Sequence, residues 1–215
     1  MKILVFGATG KTGWQVVQQA LAKGHEVTAF ARNPSGVGIA HPLLKTVIGD
    51  VLDASSVVRA VTSEYDAVVC CIGSPANKIG NIRSQGTKNI IDAMEKAGLK
   101  RFICQTSLGY GDSVKTLDQT PWFFKHLIVP YVLKKGFADH ALQEKYIKES
   151  NLDWVIARPG NLTDGSCTKA YKHGFAADDN NISVKISRAD VADFMLKQLD
   201  SNEYLKQTIG LSYAK

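Results

Sequence analysis

Lys2-Ile3-Leu4-Val5-Phe6-Gly7-Ala8-Thr9-Gly10-Lys11-Thr12-Gly13 opens the chain as a strand, a glycine turn and a helix start. The run from Lys2 to Phe6 is short and mostly apolar, as a buried strand is. Val16, Val17, Ala20 and Leu21 then repeat with helical spacing. A buried strand, a glycine turn and a helix start are the parts of a dinucleotide site. Missing Cβ atoms let the backbone approach a pyrophosphate, and the helix N-terminus offers it unpaired N–H groups and positive dipole. A surface turn with incidental glycines would lack these flanks. Gly10-Lys11-Thr12 also resembles the end of a Walker A loop. That motif needs a glycine five positions before Gly10, where Val5 stands inside the strand, so a nucleotide kinase or ATPase is excluded.

A second strand reads Glu26-Val27-Thr28-Ala29-Phe30-Ala31, and Arg32 follows nineteen residues after Gly13. A site for NAD usually places an acid here for the ribose 2′-OH, whereas a 2′-phosphate calls for a cation. Arg32 supplies a planar guanidinium suited to phosphate, and Lys11 can add charge nearby. The alternative is a solvated arginine at a strand end. NADPH is the expected dinucleotide.

The 215 residues suffice for one well-buried domain, and no linker divides them. A hydrophobic share of 45% with 21% charged residues describes an ordinary globule. The net charge of +6 comes from dispersed Lys and Arg, so no basic stripe supports nucleic-acid binding. Cys70, Cys71, Cys104 and Cys167 form neither a disulfide framework nor a zinc spacing, and the histidines make no ligand pair. No metal is expected. With folded sequence beginning at Lys2 and no membrane-length apolar run, the expectation is a cytoplasmic protein without membrane attachment. It is expected to act as a monomer or weak homo-oligomer.

Strand patterns recur at 45–48, 66–72, 101–104 and 153–157, alternating with helical patterns near 54–63, 84–97 and 137–149. This predicts an α/β fold, a doubly wound parallel sheet in a single domain over 1–215. A last helix begins at Ser187, with Asp190 three residues on in a capping arrangement, and 208–211 reads as a final edge strand.

In such a sheet the ligand lies beyond the carboxyl ends of the strands. The residues to read are therefore Gly49-Asp50-Val51, Gly73-Ser74-Pro75, Thr106-Ser107-Leu108 and Pro159-Gly160-Asn161-Leu162. Asp50 can accept from an adenine amino group, and Gly73 lets the backbone pass close to a nicotinamide ribose. Asp and Gly also simply terminate strands.

These stretches, with Leu152-Asp153-Trp154 and Arg158-Pro159-Gly160, resemble the atypical short-chain dehydrogenases with a Rossmann-like, NmrA-like fold. Within them the chain is most similar to the biliverdin-IXβ reductase/NADPH-dependent flavin reductase group, over nearly its whole length. The resemblance implies that Gly7, Thr9, Gly10, Thr12, Arg32, Ser35, Asp50, Val51, Ile72, Gly73, Ser107 and His140 touch the cofactor, as do Pro159, Asn161 and Leu162. Lys11, Gly13 and Thr106 join them as cofactor-binding candidates from the turn and the fifth strand's end. The chain departs from the group at Gly36 and Pro75, where arginines are usual. It departs again at Gln105, where a cysteine is usual, and at Asn161, where a histidine is.

Carbonyl-reducing members need a tyrosine acid with a lysine one helical turn later. Tyr131 and Lys135 have that spacing, but Pro130 and Gly136 argue against a long unbroken helix there. The family's alignment instead places Gly136 and His140 at those two positions. Without that acid, hydride transfer to a flavin-like acceptor is better served, because such a ring delocalises charge and takes its proton later from water. Ser107 and His140 are the catalytic candidates. Ser107 would fix the carboxamide, donate to the acceptor, or merely cap its own turn.

Residues 108–137, rich in aromatic side chains, form a long connection: a lid over a flat acceptor, or a short helix pair burying the same rings. The expected protein is an NADPH-dependent reductase of FMN and riboflavin, with biliverdin and quinones as further acceptors and flavin as substrate, not prosthetic group. The alternative is an NADP(H)-binding redox-sensing regulator or assembly factor without turnover.

Overall fold

The computed structural model describes residues 1–74 and 80–215. Pro75, where the family's arginine would fall, lies outside the described residues. Strand β1 (Lys2–Phe6) feeds α1 (Lys11–Ala22), then β2 (Glu26–Ala31), β3 (Leu44–Ile48), α2 (Ala54–Ala60) and β4 (Ala67–Cys70). The chain continues through α3 (Ile82–Ala97), β5 (Arg101–Gln105), α4 (Lys134–Glu149), β6 (Asp153–Pro159) and β7 (Asn161–Thr163). It ends in β8 (Lys172–His173), β9 (Lys185–Ser187), α5 (Arg188–Lys197) and β10 (Gln207–Ser212).

Eight strands form one sheet in the order β3-β2-β1-β4-β5-β6-β10-β8, parallel except for the short β8. The strand order reverses between β1 and β4, so a crevice opens beyond their carboxyl ends. Alternation within β1 builds both cores. Ile3 and Val5 pack toward α1 and α5, while Leu4 and Phe6 pack toward α2, α3 and α4, with Phe30 4.7 Å from Phe6 between ring centroids. Both faces are buried, as the apolar strand runs predict.

The helix caps show how neighbouring elements fix one another. Ser187 accepts from Asp190 N–H, which is the cap expected at α5. For α3 the cap residue Asn81 makes no side-chain cap bond. Asp139 on α4 supplies one instead, accepting from the N–H groups of Arg83 and Ser84 and from the Ser84 hydroxyl. That bond ties α4 to α3 one residue before His140.

The structure corrects the expected elements in three places. Strand β10 is not at the sheet edge, because β8 pairs beyond it; two residues carry no readable strand pattern. The three-residue β7 and β9 form a separate parallel pair for the same reason. Pro130 does not interrupt the helix: Phe124–Leu133 is π-helical and runs straight into α4. The wider turn relieves the clash between the proline ring and the carbonyl one turn back. No described helix is long and apolar enough to cross a membrane.

Candidate active site

The glycine turn is shaped by close backbone packing. Gly7 sits at φ 80°, and a Cβ there would stand 2.5 Å from the Cys71 carbonyl oxygen at the end of β4. A Cβ on Gly13 would stand 2.1 Å from the Gly7 oxygen, so no other residue fits behind the turn. Gly10 N–H donates to the Gly7 carbonyl at 2.9 Å, which turns the chain into α1. The first-turn N–H groups of α1 have no carbonyl one turn back, and no acid occupies that turn to compensate them.

In front of this turn lies a cleft of about 740 Å³. Its end against the turn is made by Gly7, Thr9, Gly10, Lys11 and Thr12. Arg32 stands at the β2 end of the cleft, with Asp50, Val51, Ile72 and Gly73 along the adjoining wall. Thr106, Ser107, His140, Pro159 and Leu162 close the opposite end. Three candidates sit elsewhere. Gly13 lies behind the turn and serves it sterically. Ser35 does not line the cleft, and its hydroxyl donates to Asn33 at 2.7 Å. Asn161 faces an adjoining cavity.

The wall is set from behind by α3. A Cβ on Gly86 would stand 2.9 Å from the Val51 methyls and 3.0 Å from Ile72 Cδ1, so this glycine lets both apolar side chains seat. Asn89 donates to the Val51 carbonyl at 2.8 Å and pins the loop. Asp50 commits one oxygen to Leu52 N–H at 3.0 Å.

At the far end, the hydroxyls are engaged within the protein. Ser107 donates to the Leu108 carbonyl at 3.0 Å, the turn-capping arrangement. Thr106 is buried, and its hydroxyl donates to Glu144 at 2.8 Å. Glu144 also accepts from Tyr110 at 2.6 Å and from Arg158 at 2.6 and 2.8 Å. Burial alone would push Glu144 up. Arg158, followed by Tyr110 and Thr106, outweighs it and holds the carboxyl down to about 2. Burial and the Glu144 carboxylate together drive the Tyr110 hydroxyl well above its ordinary range, so it is no acid.

His140 is half-buried and stacks against Tyr110 at 6.0 Å between centroids. Gln143 donates its amide to Thr87 and Cys104, which orients its oxygen toward His140 Nδ1 at 2.9 Å. His140 is therefore protonated at Nδ1 and presents Nε2 as a lone pair. Burial, then the Arg83 charge, pushes this imidazole down to about 4, so it is neutral near pH 7.

Among the cleft residues that the sequence did not mark as site residues, Arg83, Arg188 and Gln105 carry charge or hydrogen-bonding groups. Arg83, from the first turn of α3, reaches the Ser74 carbonyl at 3.1 Å and lies 3.6 Å from Asp139. Arg188, at the first position of α5, pairs with Asp164, whose other oxygen holds Lys11 at 2.6 Å. Gln105 borders the cleft with a buried Oε1 that has no partner among the described residues. The departure from cysteine at Gln105 was a signal for it; nothing marked the two arginines, of which Arg83 follows β4 at the crevice and Arg188 follows β9 of the small second sheet.

A second cavity of about 880 Å³ continues from the first across Ser107, His140 and Leu162. Leu108, Leu117, Phe123, Phe124 and Phe137 give it apolar walls. No residue of the π-helical segment is buried, and Trp122 and Phe123 are largely exposed, so these rings are not core. Tyr131 is 83% exposed and borders neither cavity.

The glycine turn, reversed strand order and elongated cleft define an NAD(P)-binding Rossmann domain of the NmrA-like, atypical short-chain dehydrogenase kind. The chain belongs to the NAD(P)H-binding family, which matches residues 7–202. It is 27% identical to the yeast UPF0659 protein YMR090W over 98% of this chain and 92% of that one. It is 26% identical to the photosystem II assembly factor Ycf39 of Synechocystis over 97% of this chain and 61% of that one. Among solved structures, the anaerobillin reductase ChuY of Escherichia coli O157:H7 superimposes with a TM-score of 0.80 at 28% identity, over 99% of this chain and 97% of that one.

The residues present fit a nicotinamide dinucleotide. The uncompensated N-terminus of α1 suits a pyrophosphate. The buried Gln105 oxygen needs a donor, which a ribose hydroxyl or carboxamide provides.

Proposed function

We infer that this protein is an NADPH-dependent reductase of flavin-like acceptors. The observation that carries the reading is the apolar cavity of about 880 Å³ meeting the dinucleotide cleft at Ser107, His140 and Leu162. A flat conjugated ring fits between such aromatic walls and a nicotinamide face. When bound, NADPH supplies the hydride.

The protein's part is placement and exclusion of water. Arg32 holds the 2′-phosphate, and the α1 N-terminus holds the pyrophosphate. Gln105 Oε1 and His140 Nε2 accept from the nicotinamide end. Ser107 either keeps its bond to Leu108 and orders the loop, or turns to donate to the acceptor. Neither His140, neutral with a bare Nε2, nor Tyr110, tied to Glu144, is poised to give up a proton. An acceptor that takes its proton from water suits this site; a simple carbonyl does not.

The test is oxidation of NADPH, followed by its absorbance, with FMN, riboflavin and a quinone. Turnover with a flavin is expected. A second reading, an NADP(H)-binding factor without turnover, is favoured by the likeness to Ycf39 and by the same lack of an acid. Tight NADPH binding with no oxidation by any of the three acceptors would select it.

A further inference from the structure

The geometry points to an anionic group on the acceptor, a phosphate or carboxylate, held by Lys185 and Arg188 at the junction of β9 and α5. This rests on the acceptor reading above.

Beside its apolar walls, the second cavity is bordered by Arg83, Lys185 and Arg188, and by no aspartate or glutamate among the described residues. An uncharged acceptor would leave Lys185 without an ionic partner and Arg188 with only an exposed carboxylate. Arg83 already has Asp139 and the Ser74 carbonyl as partners. Lys185 is exposed and makes no ion pair among the described residues, and Arg188 stands three positions on, at the start of α5.

Asp164 shows that an anionic oxygen is welcome here. Its carboxylate bridges Arg188 and Lys11, joining the rim of the acceptor cavity to the dinucleotide loop. The side chain is 62% exposed, so the bridge is weak and open to exchange. A phosphate or carboxylate on the acceptor can take the Arg188 fork from Asp164 and add Lys185, a partner Asp164 does not have. Lys185 borders only the acceptor cavity, whereas Arg188 also borders the dinucleotide cleft. Lys185 is thus the cleaner probe.

FMN and riboflavin share a ring and differ in the phosphate, so quenching of flavin fluorescence by the NADP⁺-loaded protein separates ring binding from anion binding. Biliverdin and its dimethyl ester make the same comparison for a carboxylate. At low salt we expect FMN to bind about tenfold or more tighter than riboflavin, a charge-assisted contact's worth. Lys185→Gln should bring that ratio near one while NADPH affinity is kept. Added salt should shrink the ratio in the unaltered protein, which needs no variant to fold. Preference for biliverdin over its ester, without preference for FMN, would assign the site to carboxylates. Equal affinity within both pairs, or a ratio untouched by Lys185→Gln, overturns the inference. Anion-selective binding without NADPH oxidation overturns the reductase reading alone.

Discussion

His140 Nδ1 stands 2.9 Å from Gln143 Oε1, and that one contact sets which nitrogen of the ring is left to meet a ligand. Because Gln143 spends its amide hydrogens on Thr87 and Cys104, its oxygen must accept, and the imidazole must donate from Nδ1. Burial and Arg83 hold the ring neutral down to about pH 4, against 6.5 for an ordinary histidine. In the unfolded chain the ring takes up its proton first as pH falls, so the folded state loses stability between 6.5 and about 4. Above 6.5 the contribution is fully present. His140→Phe should flatten the urea midpoint across that window, whereas the contribution of Glu144 is lost lower, as pH falls from about 4.5 through about 2. A midpoint equally pH-dependent with and without the imidazole would show that His140 titrates normally.

Arg32 stands at the β2 end of the cleft, with no carboxylate beside it in Phe30-Ala31-Arg32. Arg32→Ala should weaken NADPH binding by about 1.5–3 kcal/mol, the range for a hydrogen bond to a charged group, and leave NADH almost unchanged. Isothermal titration with both dinucleotides checks it. Equal weakening of the two would assign Arg32 some role other than reading the 2′-phosphate.

The sheet and the dinucleotide end of the site were legible because they are local. Gly7 to Gly13 span one turn and the start of α1, and Asp50, Gly73 and Ser107 each follow a strand readable in the sequence. What escaped depends on distant residues meeting. Arg83 and Arg188 open helices whose N-terminal turns point back to the crevice, and their charge alone does not say so. The Thr106 hydroxyl is spent on the distant Glu144, which no local pattern announces, while the Ser107 hydroxyl bonds Leu108, the turn-capping alternative that the sequence left open. Pro130 looked like a helix breaker, and a π-helical turn absorbed it.

Arg158 and Glu144 form a buried pair, each at most 6% exposed at its side chain. Glu144→Gln would leave the guanidinium with only the exposed carboxylate of Asp112. Breaking a buried pair from one side costs about 3–5 kcal/mol. Replacing both partners, Glu144→Leu with Arg158→Met, should cost less than the sum of the single changes. Urea unfolding of Glu144→Leu, Arg158→Met and the double variant measures it, and additive losses would mean the pair is not coupled.

Gln105 Oε1 is buried without a partner among the described residues, at a cost of about 1–3 kcal/mol for an unsatisfied polar group. Gln105→Leu should therefore raise the thermal midpoint of the dinucleotide-free protein while weakening its NADPH binding. The two effects have opposite signs, which a merely structural side chain would not give. Loss of stability together with unchanged NADPH affinity would remove Gln105 from the site.

Tyr131 and Lys135 keep the spacing of an acid and its lysine, yet Tyr131 is 83% exposed on the π-helical segment and borders neither cavity. A hydroxyl in water cannot deliver its proton to a ring held beside Ser107 and His140. Tyr131→Phe should therefore keep flavin reduction near that of the unaltered protein, and Lys135→Met should do the same. Removing a true general acid would cost about 10²–10⁴-fold. Ser107→Ala should fall between these limits, since its hydroxyl orders the Leu108 turn and a loosened turn misplaces the ring without removing a proton source. Steady-state rates of NADPH oxidation by FMN, with folding checked by circular dichroism, separate the cases. A folded, NADPH-binding Tyr131→Phe protein that had lost a hundredfold in turnover would mean the segment closes further than its exposed tyrosine indicates, and that the acid is Tyr131 after all.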